Sequence, residues 1–261
     1  MSEPNYESKW WGYIYDQMMM QDLQGLLDNH LRFYHSNLRD VKGPVLECAC
    51  GTGLFLLPLL IAGHEMHGFD ISISMLAKLK TKAEDQGLGD IDRRISVQDF
   101  VSFRYEQQFE AIILPTNTFL MLTTQESQIT TLKNIYAHLR SGGKLFLDLK
   151  LAGMRGLVES PEVVQGRWHT WTHPETGRVI RQRVEGRFDF NDQLTLDRCF
   201  IEYENQQEEF LMTGRWIFKD EFQLLLRLAG FEQWQYFSTP DRDPLEIGLD
   251  EAQSYWIVDK A

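Results

Sequence analysis

The chain has 261 residues, 43% of them hydrophobic, and carries a formal net charge of -12 at pH 7. This length suits one large α/β domain with an elaboration and is short for two independent domains. The negative charge argues against a protein that mainly binds nucleic acid, because phosphate groups require a basic surface. Three cysteines make no disulfide framework, and no second Cys/His pair stands at metal spacing, so no metal site is expected.

The start of the chain combines aromatic residues, among them Trp11 and Tyr15, with leucines at near-helical spacing. The segment 1–42 is predicted to be helical, and two interpretations stay open: a lid over a ligand, or a cap whose aromatic side chains belong to the core. The N-terminus lacks the basic and apolar regions of a signal peptide. No apolar run approaches the roughly 18 residues that cross a membrane. We therefore expect a cytoplasmic protein without a membrane partner.

Residues 45–53 read V-L-E-C-A-C-G-T-G and are followed by an apolar helical segment. A strand, a glycine loop and a helix in this order open the nucleotide-binding half of an open α/β sheet. Glycine at positions 51 and 53 lets the backbone approach a ligand or adopt a positive φ. The dinucleotide fingerprint would place a third glycine where this chain has Leu56, which disfavours a nicotinamide-dependent oxidoreductase.

Strands and helices alternate over the next hundred residues. Strands are predicted at 66–70, 94–98, 109–114 and 144–149, and helices at 54–62, 73–86 and 123–139. Ser72 is the expected N-cap of the second of these helices, and Thr123 with Glu126 forms a capping-box pattern for the third. Five strands separated by helices predict a parallel, doubly wound sheet.

After this region, charged and apolar residues alternate strictly along the sequence, as in antiparallel strands with one face exposed to solvent. A turn at 191–192 sets Glu185 opposite Arg198 and Arg181 opposite Glu202, and this complementary pairing supports the register. We therefore predict an antiparallel insertion at 155–217, whose arginines are paired and solvated rather than bound to an anionic substrate. A helix at 219–229 and strands at 231–237 and 253–258 would complete the main sheet.

Three acidic residues end predicted strands of the first half: Glu47, Asp70 and Asp99. Asp70 lies 17 residues beyond Gly53, where a carboxylate can accept hydrogen bonds from both hydroxyl groups of a ribose. Together with the A-C-G-T-G loop, these residues resemble the class I S-adenosylmethionine-dependent methyltransferases. The resemblance covers 44–150 well and the C-terminal third in outline.

The resemblance implies a single methyltransferase domain, 1–261, built on a Rossmann-like, mostly parallel, seven-stranded sheet. It implies S-adenosylmethionine as cofactor and S-adenosylhomocysteine as product, with the adenine held by Asp99 and Phe100. Residues expected at the cofactor are Glu47, Ala49, Cys50, Gly51, Gly53, Asp70, Ile71, Met75, Asp99, Phe100 and Leu114. Residues expected to act in catalysis are Tyr15, Thr116 and Asn117, although the last two also suit a turn that only caps the fourth strand.

The segment after the fourth strand is L-P-T-N-T, which departs from the N-P-P-Y motif of enzymes that methylate nucleic-acid bases or protein glutamine. This departure and the acidic charge point to a small-molecule acceptor. In outline the chain is most similar to amino-sugar and glycine N-methyltransferases, which implies an amine acceptor. A small-molecule O-methyltransferase and a non-catalytic module that binds S-adenosylmethionine stay open as alternatives, as does a homodimer.

Overall fold

The computed structural model describes residues 11–153, 163–172, 177–204, 206–245 and 252–261, except the side chains of 11–13, 21–22 and 163–165. The strands are β1 (Val45–Cys48), β2 (Met66–Asp70), β3 (Ile95–Val97), β4 (Phe109–Leu114), β5 (Leu139–Leu151), β6 (Val163–Gln165), β7 (His169–Thr172), β8 (Val179–Asp189), β9 (Leu194–Tyr203), β10 (Gln206–Arg215), β11 (Gln233–Phe237) and β12 (Ala252–Asp259). The helices are α1 (Trp11–Gln17), α2 (Gln24–Leu38), α3 (Leu56–Ile61), α4 (Ile73–Asp85), α5 (Gln125–His138) and α6 (Lys219–Ala229). Helical turns lie at Met18–Asp22, Ile91–Arg93 and Thr118–Met121. None of the described helices is both long and apolar enough to span a membrane.

Seven strands form the larger sheet, in the order β11-β12-β5-β4-β1-β2-β3. The five strands β1 to β5 are parallel, whereas β12 runs antiparallel to both β5 and β11. The strand order reverses beside β1, and ligands bind at such a switch point, outside the carboxyl ends of the strands. The predicted doubly wound, mostly parallel sheet is confirmed.

The central strand β4 shows how the sheet is buried on both faces. Its residues Ile112 and Leu114 belong to a core cluster that includes side chains of α5 and α6. Ala111 and Ile113 point the other way, into a cluster with side chains of α2, α3 and α4. A near-continuous apolar strand is stable here because helices cover both of its faces.

Two helix starts show how far local sequence signals were sufficient. Ser72 accepts a hydrogen bond from the backbone N–H of Met75 at 3.3 Å, so it is the predicted N-cap of α4. The capping box predicted at Thr123 and Glu126 is wrong by one residue. Thr124 caps α5, and its hydroxyl accepts from the backbone N–H of Ser127 at 3.1 Å. Thr123 with Glu126 and Thr124 with Ser127 both place a hydroxyl residue at the N-cap and a hydrogen-bonding residue three positions later. The sequence pattern alone therefore did not distinguish the two helix starts.

The strands β6 to β10 form a second, antiparallel sheet. They lie between Val163 and Arg215, within the range predicted for the insertion, whose residues 155–162 lie outside the described residues. The predicted register of β8 and β9 is confirmed, with Glu185 opposite Arg198 and Arg181 opposite Glu202. The predicted two-residue turn is wrong, because pairing stops at Asp189 and Leu194.

The two faces of this second sheet differ in chemistry. On one face, ion pairs join Arg181 to Glu202 at 2.9 Å and Arg198 to Glu209 at 3.1 Å. The other face contributes apolar side chains to a separate core cluster, which also contains Ile14 of α1. The charged face is therefore the wet one, and the second sheet packs through its apolar face onto the N-terminal helix.

Candidate active site

A cavity of about 550 Å³ opens at the carboxyl ends of β1, β2, β3 and β4. The segments that line it come from the loops after these strands, from α1 and the turn that follows it, and from β10. Eleven of the residues predicted for the site line it: Tyr15, Glu47, Ala49, Cys50, Gly51, Asp70, Ile71, Met75, Asp99, Phe100 and Thr116. The carboxyl ends of the strands around the switch point thus border one continuous cavity.

The loop after β1 has an unusual backbone. Ala49, Gly51 and Gly53 all have positive φ angles, of 54°, 51° and 80°. A side chain at position 51 would place its Cβ 3.2 Å from the methyl carbon of Met75, inside the space that the loop leaves open. Glycine keeps this space clear. The sequence identified the two glycines, but gave no sign that Ala49 shares their left-handed conformation.

Asp70, at the end of β2, links the loops that follow β1 and β2. Its Oδ2 accepts from the backbone N–H of Gly51 at 2.8 Å, and its Oδ1 accepts from that of Ser72 at 2.8 Å. Each carboxylate oxygen can accept more than one hydrogen bond. The side chain is therefore positioned by the protein and retains accepting capacity toward a ligand.

Glu47, at the end of β1, is a buried carboxyl group that lines the cavity. Its Oε2 has no hydrogen-bond partner among the described residues. Burial raises the pKa of Glu47 well above its ordinary value, and the nearby charge of Asp70 adds to this effect. An unpartnered oxygen of a buried carboxyl beside a cavity fits a ligand that brings a positive charge or hydrogen-bond donors.

The far end of the cavity, after β2 and β3, combines apolar and polar groups. Ile71 lines it although 52% of its surface is exposed, and Phe100 packs beside it against the core. Asp99 is exposed, and its Oδ1 accepts from the backbone N–H groups of Val101 and Ser102 at 2.8 and 3.1 Å. Apolar walls with a fixed carboxylate at the rim suit a flat heterocycle that bears an amino group.

The loop after β4 is positioned by Asp148 of β5, which the sequence analysis missed. This fully buried carboxylate accepts from the backbone N–H groups of Thr116 and Asn117 at 2.8 and 2.9 Å, and from the hydroxyl of Tyr34 at 2.6 Å. Thr116 and Asn117 both have left-handed backbones, with φ of 57° and 58°. Such strained positions persist only when surrounding contacts hold them, and Asp148 supplies those contacts. His30, equally buried, lies 3.4 Å from Asp148, and burial lowers the pKa of its imidazole.

Three predicted site residues lie behind the cavity wall instead of lining it. The backbone carbonyl of Leu114 accepts from the Tyr34 hydroxyl at 3.0 Å. The side chain of Asn117 accepts from the backbone N–H of Lys150, on the neighbouring strand. A Cβ on Gly53 would lie 2.9 Å from Leu79, so this glycine allows two helices to approach. Leu114, Asn117 and Gly53 therefore support the shape of the cavity wall from behind.

The N-terminal helix α1 reaches the cavity through Tyr15. Its hydroxyl lies 3.1 Å from Oγ1 of Thr116, and that Thr116 hydroxyl donates to the carbonyl of Pro115 at 2.8 Å. Because a hydroxyl has a single hydrogen, Tyr15 is the donor to Thr116. Burial raises the pKa of the Tyr15 phenol, which therefore stays protonated.

The next residue, Asp16, fastens α1 to the cofactor side of the cavity. Its carboxylate is buried, accepts from the hydroxyl of Thr52 at 2.5 Å, and pairs with Lys82 at 2.8 Å and Lys78 at 3.0 Å. Ile14 of the same helix is buried in a core cluster. The lid and the cap with aromatic core side chains both stay predictions, and the side chain of Trp11 lies outside the described residues.

The opposite end of the cavity lies beyond Tyr15 and Thr116. Its walls are formed by Met18, by residues of the turn Thr118–Met121 and the segment after it, and by Met212 and Thr213 of β10. These side chains are thioethers, hydroxyls and aliphatic groups. The N-terminal helical segment and the second sheet thus both border this end of the cavity.

Residues 45–143 match a family described as "Methyltransferase domain". The cypemycin N-terminal methyltransferase of a Streptomyces species is 27% identical over 191 residues, which cover 72% of this chain and 72% of that protein. An uncharacterized methyltransferase of Bacillus thuringiensis (strain Al Hakam) is 30% identical over 166 residues, 60% of this chain and 72% of the relative. A solved structure of SAM-bound CalS10, an amino pentose methyltransferase of Micromonospora echinaspora, has a TM-score of 0.59 and 18% identity, over 99% of this chain and 98% of that one.

The sheet order, the glycine loop and the cavity at the switch point define a nucleotide-binding α/β enzyme. The chain belongs to the class I S-adenosylmethionine-dependent methyltransferases, and S-adenosylmethionine is its cofactor. The residues of the cavity fit this molecule, because Glu47 has one buried carboxyl oxygen without a partner among the described residues, and Gly51 has no side chain to block the approach of a ligand to the backbone.

Proposed function

We propose that the protein transfers a methyl group from S-adenosylmethionine to an amine nitrogen of a small molecule. One observation carries the amine assignment. The acidic side chains among the described lining residues are Glu47, Asp70 and Asp99, whereas no lysine or arginine is among them. A cavity lined by one sign of charge favours ligands of the opposite sign. The sulfonium of the cofactor and a protonated amine are both cations, whereas carboxylate and phosphate acceptors are disfavoured.

The dimensions of the cavity support a small acceptor. A volume of about 550 Å³ falls within the range of pockets that enclose small ligands. Cofactor contacts are proposed at Glu47, Gly51, Asp70, Asp99 and neighbouring residues, which leaves the end between Tyr15 and Met212 for the acceptor. That end is covered by α1 and by the second sheet, so it suits a compact molecule or the terminus of a chain.

Bound S-adenosylmethionine supplies an electrophilic methyl carbon. The lone pair of the acceptor nitrogen forms a bond to this carbon, and the electron pair of the carbon–sulfur bond passes to sulfur. The protein's own residues then serve mainly to orient the acceptor. Tyr15 and Thr116 form a hydrogen-bonded pair of hydroxyl groups at the junction of the two ends, and their oxygens accept hydrogen bonds from an amine. Correct orientation of two reactants contributes roughly 7–11 kcal/mol to lowering a barrier.

The names of two similar proteins agree with this assignment. One is an N-terminal methyltransferase and the other an amino pentose methyltransferase, so both names imply acceptors that carry an amine. A small-molecule O-methyltransferase is the competing function. It would require a group that removes the proton of a hydroxyl acceptor, and no histidine is among the described lining residues.

The proposal is tested with S-adenosylmethionine carrying a carbon-13 methyl group and a panel of simple amines, amino sugars and phenols. We expect a product in which the labelled carbon is bonded to nitrogen, identified by NMR, together with S-adenosylhomocysteine. A label found on oxygen would establish the O-methyltransferase instead. Tight cofactor binding without turnover of any panel member would favour the non-catalytic module.

A further inference from the structure

One carboxylate on the apolar face of the second sheet has no role in the site described so far. Asp197 lies in the middle of β9, directly opposite Gly186 of β8 and Met212 of β10. Directly opposite residues of antiparallel strands share one face of the sheet. Met212 lines the cavity, whereas Asp197 is not among the described lining residues. Asp197 therefore shares a face with Met212 and lies one strand away from the cavity wall.

The surroundings of this face locate Asp197 more closely. Toward one end of β9, Cys199 packs in the cluster that contains Ile14 of α1. Toward the other end, Thr195 donates to the carbonyl of Gly214, where a Cβ would lie 3.5 Å from the carbonyl of Leu120 in the turn Thr118–Met121. The helix and the turn thus lie at the two ends of this face, and Asp197 lies between them, on the strand next to the one that lines the acceptor end of the cavity.

The carboxylate of Asp197 is half-buried, and it makes no hydrogen bond or ion pair with any of the described residues. Its neighbour Gly186 leaves room beside it, since a Cβ there would lie 3.0 Å from Oδ1 of Asp197. A glycine inside a strand weakens the strand and often marks a place where a ligand approaches closely. A desolvated carboxylate without a partner costs free energy unless a partner arrives.

We propose that Asp197 is the group that binds the amine of the acceptor and takes its proton. The inference rests on the proposed function and extends it, because it assigns the acceptor class to protonated amines. A proton leaves the ammonium nitrogen for the carboxylate of Asp197, and the nitrogen keeps the electron pair. That pair forms the bond to the methyl carbon, while the electrons of the carbon–sulfur bond go to sulfur. The methylated ammonium and S-adenosylhomocysteine are the products.

The charges around Asp197 agree with this role. Described titratable side chains on the same face are Cys199, His169, Tyr203 and Glu208, and the arginines of β8 and β9 stand on the opposite face. The turn Thr118–Met121 has no charged residue, and Asp16 of α1 is paired with two lysines. Burial alone raises the pKa of Asp197, which makes its carboxylate a stronger base for an ammonium proton.

The test uses the full chain with benzylamine, cyclohexylamine and glucosamine as acceptors, and counts S-adenosylhomocysteine formed. Asp197→Asn should raise the KM of the amine by about 10- to 100-fold, as expected when a charged hydrogen bond is lost. The Kd of S-adenosylhomocysteine should not change. Glu209→Gln, which removes a negative charge from the opposite face of the same sheet, is the matched control and should leave KM unchanged.

The pH profile separates a proton acceptor from a structural residue. Activity of Asp197→Asn relative to the parent should fall as pH is lowered from 9 to 6, because the variant depends on free amine in solution. It should recover at high pH, where the amine is already deprotonated. If Asp197→Asn fails to bind S-adenosylhomocysteine, Gly186→Ala decides, since its added methyl group crowds Oδ1 and should raise KM without removing the charge.

The outcomes are distinct. Methylation of the amines with the same KM in the parent, Asp197→Asn and Gly186→Ala would overturn the role of Asp197 and leave the proposed function standing. Methylation of cyclohexanol in place of cyclohexylamine would overturn both.

Discussion

The hydroxyl of Tyr15 lies 3.1 Å from Oγ1 of Thr116, although 101 positions separate the two residues in the chain. This contact joins the N-terminal helix to the strained loop after β4, at the junction between the cofactor end and the acceptor end of the cavity. Thr116 is held from behind by Asp148, and Tyr15 is held by its neighbours Ile14 and Asp16. The pair is therefore fixed before any ligand binds.

Replacing Tyr15 by Phe should lower kcat/KM for the amine about 2- to 13-fold, the equivalent of one neutral hydrogen bond worth about 0.5–1.5 kcal/mol. The ring remains, so the thermal midpoint should change little. Steady-state kinetics and differential scanning fluorimetry measure the two effects. An unchanged kcat/KM would show that the hydroxyl does not contact the acceptor.

Replacing Asp16 by Asn should detach α1 from the cofactor loop. The variant loses charge-assisted bonds to Lys78 and Lys82, each worth about 1.5–3 kcal/mol, and weakens the contact with Thr52 in the glycine loop. We expect lower affinity for S-adenosylhomocysteine together with a measurable loss of stability. Asp28→Asn, an exposed carboxylate on α2, is the control and should leave both unchanged. Equal cofactor affinity in Asp16→Asn and the parent would contradict the coupling.

Replacing Asp70 by Ala should weaken S-adenosylhomocysteine binding about 10-fold or more, since one charged hydrogen bond contributes about 1.5–3 kcal/mol. The loss has two parts, because Asp70 also positions the backbone of Gly51 and Ser72. Isothermal titration calorimetry gives the Kd. The control is Asp92→Asn, an exposed carboxylate paired with Lys80. Binding by Asp70→Ala that matches this control would mean that the ribose lies elsewhere.

Glu47 should make the ligand-free protein less stable as pH rises. The raised pKa of this carboxyl means that it stays protonated in the folded state while the unfolded state ionises above its ordinary pKa of about 4.5. The folded state then binds more protons, and the free energy of unfolding falls with increasing pH. Glu47→Gln removes this contribution.

Thermal midpoints of the parent and Glu47→Gln between pH 4 and 8 check this sign. The difference between them should shift in favour of the variant as pH rises, while the variant binds S-adenosylhomocysteine more weakly. Parallel curves would show that the pKa of Glu47 is the same in the folded and the unfolded protein, which would contradict the effect of burial.

The sequence predicted those parts of the fold that depend on local patterns. The register of β8 and β9 was predictable because complementary charges on one face and apolar side chains on the other agreed on a single alignment. The glycine loop and Asp70 were predictable because their spacing follows from a strand, a turn and a helix. The start of α5 was not, since Thr123 and Thr124 offer equivalent caps.

The site residues that the sequence did not predict were missed for a common physical reason. Asp148 acts on a loop that precedes it by about thirty residues, and on Tyr34 at a separation of 114 positions, so no local pattern reports its role. The position of Asp197 depends on a third strand and on what covers the sheet. Asn117 was placed in the site by its neighbours, but its left-handed backbone turns the side chain toward β5.

The central claim is that the cavity methylates an amine nitrogen. The most direct test compares kcat/KM for cyclohexylamine and cyclohexanol, two acceptors of nearly equal shape, with S-adenosylmethionine at pH 8. The structure predicts turnover of the amine and none of the alcohol, because the charged groups described in the cavity wall are carboxylates that favour a cation. Turnover of the alcohol at an equal or greater rate would contradict the account.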